Sequence, residues 1–163
     1  MRVRYLIKYT KESNIKFISH LDIMRTIQKV VRRAELPVKY SQGFNPHMAL
    51  SIAQPLGVGV YSSGEYMDLI LVEEMDVQEI IDRLNEKSAS GIKFMTATQI
   101  PPTEPNEKKM PQAMAMIDAC RYTIKINYTS VEDLEEEVKA LFEKNEWITL
   151  KTVSYTHLTL PTT

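Results

Sequence analysis

Residues 2–10 alternate apolar and polar positions, with Leu6 the one apolar residue in the polar phase. Val3, Tyr5, Ile7 and Tyr9 share one side, while Arg2, Arg4 and Lys8 share the other with Leu6. That period of two predicts a strand with one buried face and one basic face. The period then lengthens. From His20 to Glu35, Met24, Ile27, Val31 and Ala34 recur at helical spacing, with Ile23 and Val30 widening the stripe, while Arg25, Lys29, Arg32 and Arg33 gather on the opposite face. Ser19 and Asp22 have capping-box spacing at the helix start, and Pro37 stops the helix by disfavouring helical backbone at Leu36.

The pattern continues in kind. Residues 48–53 make a short apolar strand stopped by Pro55 and a Gly57-Val58-Gly59 turn, Ser62-Ser63-Gly64 signals a second turn, and residues 65–72 are strongly strand-like. Asp76 caps a helix whose apolar face is Val77, Ile80, Ile81 and Leu84. Residues 92–100 return as a strand with Ile92, Phe94 and Ile100 on one face. Strand, helix, strand, strand, helix, strand is the order of an α+β, ferredoxin-like split βαββαβ sandwich: a four-stranded antiparallel sheet with two helices on one face. Its other face is then open, and Arg4 and Lys8 lie on it.

This reading divides the chain into a ferredoxin-like domain over residues 1–100, a Pro/Met-rich linker over 101–118, a partial second α/β unit over 119–152 and a tail over 153–163. The linker carries Pro101, Pro102, Pro105 and Pro111, with Met110, Met114 and Met116 as packing filler. In the second unit residues 121–128 alternate as a strand, Ser130 and Asp133 form a capping box, Val131, Leu134, Val138, Leu141 and Phe142 make an amphipathic helix, and a strand starts at Trp147. That is a truncated βαβ half-unit. The tail VSYTHLTLPTT carries no charged side chain. It resembles translated adapter read-through and is set aside as non-native, His157 with it, so the gene product is expected to be longer.

Composition changes this picture at two points. A 44% hydrophobic, 25% charged chain of 163 residues is ordinary for a globular protein. No stretch has the unbroken apolar length that spans a bilayer, and the N-terminus lacks a signal peptide's apolar core. A single cysteine, Cys120, excludes an internal disulfide and a clustered-thiol metal site in this chain, and fits a reducing cytoplasm. Charge, however, is lopsided: residues 1–50 hold ten Lys/Arg against three Asp/Glu, net +7, and the remainder ten against eighteen, net −8. Such asymmetry points to a basic working surface.

The chemistry concentrates at the first helix and the loop after it, residues 40–47, YSQGFNPH. Gln42, Asn45 and His47 offer polar contacts, and Tyr40 and Phe44 offer ring faces. Cations interleaved with aromatics suit single-stranded RNA, charge for the backbone and rings for the bases. The candidate nucleic-acid-binding residues are therefore Arg4, Lys8, Arg25, Lys29, Arg32, Tyr40, Gln42, Phe44, Asn45 and His47. Against this stands a plainer arrangement, in which Phe44 tucks under the loop and Asn45-Pro46 only shapes the turn. His20 and His47 are the candidate catalytic groups, and Asp22 is better explained as a cap than as a base. Two convincing ligands are too few for zinc, so no metal site is expected. Glu65 and Asp68 are expected to pair with Arg4 or Lys8 on a neighbouring strand.

From Lys16 to Leu71, the motifs SHLD, YSQGFNP and GEYMD resemble the bacterial radical SAM-linked protein family, domain of unknown function 2344, over roughly residues 1–150. Where that family's pattern follows the loop His with a Pro and a basic residue, this chain has Met48-Ala49-Leu50. The resemblance implies a radical SAM protein as partner, with the iron–sulfur cluster and SAM on that partner and no cofactor in this chain. Three functions follow as expectations. The favoured one is a non-catalytic cytoplasmic accessory module that binds RNA or presents a substrate through the basic sheet face and the 40–47 loop. The others are an RNA-processing or RNA-modifying enzyme using His20 and His47, and a purely structural docking subunit.

Overall fold

The computed structural model describes residues 2–102, 110–125, 127, 134–144, 147–153 and 156–162. They fall into two compact units, Met1–Cys120 and Arg121–Thr163. The first unit contains β1 (Val3–Lys11), α1 (His20–Arg33), β2 (Leu50–Ile52), β3 (Ser62–Leu71), α2 (Val77–Glu86) and β4 (Ile92–Ile100). Its sheet has the order β2-β3-β1-β4, every neighbour antiparallel. This is the ferredoxin-like α+β arrangement the element order predicts.

Alternation along β1 decides where the core lies. Val3, Tyr5, Ile7, Tyr9 and Lys11 are buried, and the residues between them are half-buried. Opposite them stand Leu71, Leu69, Met67 and Glu65 of β3. Ile23, Ile27, Val30 and Val31 of α1 and Ile80, Ile81 and Leu84 of α2 close over this face, with Met24 packed against its margin. Tyr5 is fully enclosed because its hydroxyl is satisfied twice: it donates to the Met75 carbonyl at 2.9 Å and accepts from the Met75 amide at 2.9 Å.

The helix caps follow from the sequence. The Ser19 hydroxyl accepts from the Asp22 amide at 3.3 Å and donates to the Asp22 carboxylate at 2.7 Å. Asp76 accepts from the amides of Gln78 and Glu79. α1 ends two residues earlier than the spacing predicts, because Glu35 turns into the left-handed region at φ 51° before Leu36 and Pro37.

Two expectations are corrected by sheet geometry. Gly64 lies inside β3 rather than in a turn: a Cβ there would meet Lys8 Cε at 2.8 Å, so the glycine makes room for the lysine crossing it. Ile100 is not on the face of Ile92 and Phe94. Tyr9 pairs with Phe94 but Lys8 with Thr96, so Met95 is an extra residue that flips the phase and sets Ile100 opposite Arg4.

In the second unit α3 (Leu134–Phe142) precedes a hairpin of β5 (Trp147–Val153) and β6 (Thr156–Thr162). No strand forms at residues 121–125, where Tyr122 and Ile124 are exposed; alternation alone makes no strand without a neighbour to pair with. Ile126, Tyr128 and the expected cap and helix start at residues 130–133 lie outside the described residues. The uncharged tail set aside above supplies β6, with Pro161 opposite Ile148.

Ile27 is completely buried in the centre of α1's apolar stripe. Ile27→Ala should lower unfolding stability by about 2–5 kcal/mol, read as a lower urea midpoint at unchanged slope.

Candidate functional site

The 40–47 loop is cinched at its neck. The Ser41 amide donates to the His47 carbonyl at 2.8 Å, the His47 amide donates to the Ser41 hydroxyl at 2.8 Å, and Tyr40 bridges to Met48. Gly43, at φ 131°, takes a backbone shape that a side chain would resist. Between these ties Phe44 stands entirely in solvent, and Gln42, Asn45 and His47 are exposed with it. Phe44 therefore does not tuck under the loop. Tyr40, beside the neck, is partly exposed.

The cations divide into engaged and unengaged. Arg25 pairs with Asp22 at 3.1 Å. Among the described residues no ion pair or side-chain hydrogen bond holds Lys29 or Arg32, both exposed on α1. Lys8 lies over the Tyr66 ring, 5.9 Å from its centroid. Arg4 is fully occupied. Its Nε donates to Asp68 at 2.8 Å, and its Nη1 and Nη2 donate to the carbonyls of Met110 and Pro111 at 2.9 and 2.7 Å. Asp68 in turn accepts from the Ala113 amide at 2.8 Å. Residues 110–113 are thus strapped across the sheet face expected to be open. Ala113 is buried there, while Met110, Met114 and Met116 are largely exposed, so backbone rather than methionine packing holds the strap. Arg4 is a clamp residue and not a free phosphate ligand.

His20 leads to a group that the sequence reading missed. It lines a pit of about 10 Å³ together with Tyr9, Lys11, Ile23, Gln54, Leu56 and Glu65. His47 is not among the lining residues, so the pit does not unite the two histidines. Lys11 is only 2% exposed, and its ammonium donates to the carbonyls of Lys16, Ile18 and Gly57 at 3.2, 3.0 and 3.4 Å. Burial lowers its pKa, opposed by the nearby Glu65 carboxylate. Burial likewise raises the Glu65 pKa, against a hydrogen bond from Ser62 and the charge of Lys11. The Tyr9 phenol is pushed up by burial first and by Glu65 second. Of the two β3 carboxylates, Asp68 pairs with Arg4 as expected, whereas Glu65 lines the pit, accepts from the Ser62 hydroxyl and feels the charge of Lys11.

A signal for the pit was present in the pattern. Lys11 continues the buried odd-numbered phase of β1, and Glu65 is in phase with Met67, Leu69 and Leu71. A charge on an apolar phase is a buried charge, and a buried charge needs a partner. Asp22, exposed and held below the usual carboxylate range mainly by the Ser19 hydroxyl, is a cap. Among the described residues no three His, Cys, Asp or Glu side chains converge as metal ligands, and no helix is long and apolar enough to cross a membrane.

A family profile described as an uncharacterized protein conserved in bacteria, domain of unknown function 2344, matches residues 4–157. That span includes every residue of the loop, the clamp and the pit. No curated protein matches.

Two outcomes test the pit's electrostatics. Lys11→Met leaves three carbonyls and Glu65 without their cation, and should destabilise by about 3 kcal/mol or more in chemical denaturation. Glu65 has a folded pKa above its unfolded one, so its ionisation disfavours the fold, and the stability contribution is lost as pH rises from the ordinary value of 4.5 through the raised one. Glu65→Gln should flatten that segment of the stability–pH profile.

Proposed function

The chain belongs to this bacterial family, and from its surface we propose a non-catalytic RNA-binding module that serves a radical SAM enzyme. The observation that carries the reading is Phe44, an aromatic ring held wholly in solvent at the tip of a loop tied at its neck. A solvated ring on a fixed loop is costly for stability and useful for stacking on an unpaired base. Gln42, Asn45 and His47 surround it with groups able to reach base edges. Lys29 and Arg32 supply unengaged charge for phosphates, Arg25 contributes less because Asp22 shares it, and Lys8 adds a cation from the sheet. Arg4 drops out of the set.

The likeness to proteins fused to, or encoded beside, radical SAM enzymes supports the choice of partner. That enzyme would carry the iron–sulfur cluster and SAM, and this module would hold or present the RNA on which it acts.

One observation favours a second reading. The pit gathers His20, Glu65 and Tyr9, three groups able to exchange protons, so an RNA-modifying activity would run through His20 and Glu65 rather than through His20 and His47. RNA that stays intact and unmodified during prolonged incubation with the protein argues against it.

Binding should separate into two components when the full chain is titrated with single-stranded RNA at several salt concentrations. Phe44→Ala should weaken affinity by roughly 1–3 kcal/mol with the salt dependence unchanged. Lys29→Ala should reduce the log–log salt slope by up to about one with base preference unchanged. Absence of binding in low salt, or identical effects of the two substitutions, would refute the proposal.

A further inference from the structure

Tyr9 is 2% exposed, yet among the described residues its hydroxyl takes part in no hydrogen bond. No fully enclosed side-chain polar atom among those residues lacks a partner, so this hydroxyl is one that solvent can reach. The opening it meets is the pit, whose volume of about 10 Å³ admits one water-sized group. Beside it are the Glu65 carboxylate and the His20 ring. Lys11 cannot serve a ligand there, because its three N–H bonds already go to three carbonyls, and Gln54 accepts from the Cys120 thiol at 3.1 Å.

Lys11 also ties two loops together. By drawing the carbonyls of Lys16, Ile18 and Gly57 to one ammonium, it brings together the two segments that carry Phe17 and Val58. A further tie runs from the Gly59 amide to the Lys16 carbonyl at 2.8 Å. Phe17 is 71% exposed, Val58 is exposed, and the Lys16 ammonium lies 5.1 Å from the Phe17 ring. The pit's own lining sets the apolar side chains of Ile23 and Leu56 beside its polar groups. That is the make-up of a small organic site, apolar walls around a few convergent polar groups.

We infer that the pit seats a single ribose 2′-hydroxyl, so that the module distinguishes RNA from DNA. The inference takes its ligand class from the RNA reading above and adds a second contact point to it. The 2′-hydroxyl is both donor and acceptor, and it complements a carboxylate that only accepts and a phenol that does either. A deoxyribose leaves the Tyr9 hydroxyl and Glu65 as they stand in the free protein.

The test compares the full chain's affinity for one single-stranded RNA and for the DNA of the same sequence. The wild-type protein should prefer RNA by roughly tenfold. Tyr9→Phe breaks no existing hydrogen bond and should abolish most of that preference by weakening RNA binding, with DNA binding unchanged. Glu65→Gln, a second variant of equal volume, should reduce the preference in the same direction. Equal affinity for RNA and DNA in the wild type, or a preference untouched by Tyr9→Phe, overturns the inference and leaves RNA binding through the loop standing. Where neither oligonucleotide binds, saturation-transfer NMR with adenosine and 2′-deoxyadenosine decides. Tyr9-dependent binding of adenosine alone upholds the pit and refutes the loop, and no binding of either nucleoside refutes both.

Discussion

One ammonium group organises the top of this domain. Lys11 ends β1 on the buried phase, where a leucine would meet every expectation of the pattern. Its charge is tolerated because three peptide carbonyls and the field of Glu65 surround it. The carbonyls belong to segments about forty residues apart in sequence, and neither lies in a regular element that could hold it. Besides the lysine, a backbone bond from the Gly59 amide to the Lys16 carbonyl joins the entry to α1 and the Gly57-Val58-Gly59 turn. Lys11 therefore both lines the pit and joins these two segments.

The architecture was legible because it rests on periodicity. β1 alternates cleanly, α1 and α2 carry apolar stripes with caps of known chemistry, and those signals are local. What escaped the pattern required knowledge of a neighbour. The extra residue at Met95 exists only relative to β1, so Ile100 was placed on the wrong face. Gly64 looks like a turn residue until Lys8 is seen lying across it. Residues 121–125 alternate as well as β1 does, yet without pairing they form no strand.

The candidate site divides in the same way. Exposure of the 40–47 loop follows from its Gly, Pro and polar content, and only the fate of Phe44 needed coordinates. The pit could not be assembled in advance, because Tyr9, His20, Gln54 and Glu65 come from four separate stretches. Arg4 was misjudged for a different reason. Its partners at residues 110–113 sit in a segment that sequence reads as linker, and a linker gives no hint of which side chain will hold its backbone. With Arg4 engaged, Lys29 and Arg32 of α1 are the unengaged cations of the candidate set, and Lys8 is the one left on the sheet.

That strap has a bearing on how the chain comes into being. β1 is made before its neighbours but sits inside the sheet, between β3 and β4, and the two terminal nitrogens of its Arg4 guanidinium are satisfied by carbonyls more than a hundred residues later. On a ribosome the N-terminal strand therefore emerges with both edges unpaired, and waits for residues 62–71, then 92–100, and last 110–113. Arg4 in that interval is a solvated cation on an unfinished sheet. The strap can close only once residue 113 has been made, so its backbone bonds to Arg4 and Asp68 are the last of these contacts that chain order allows.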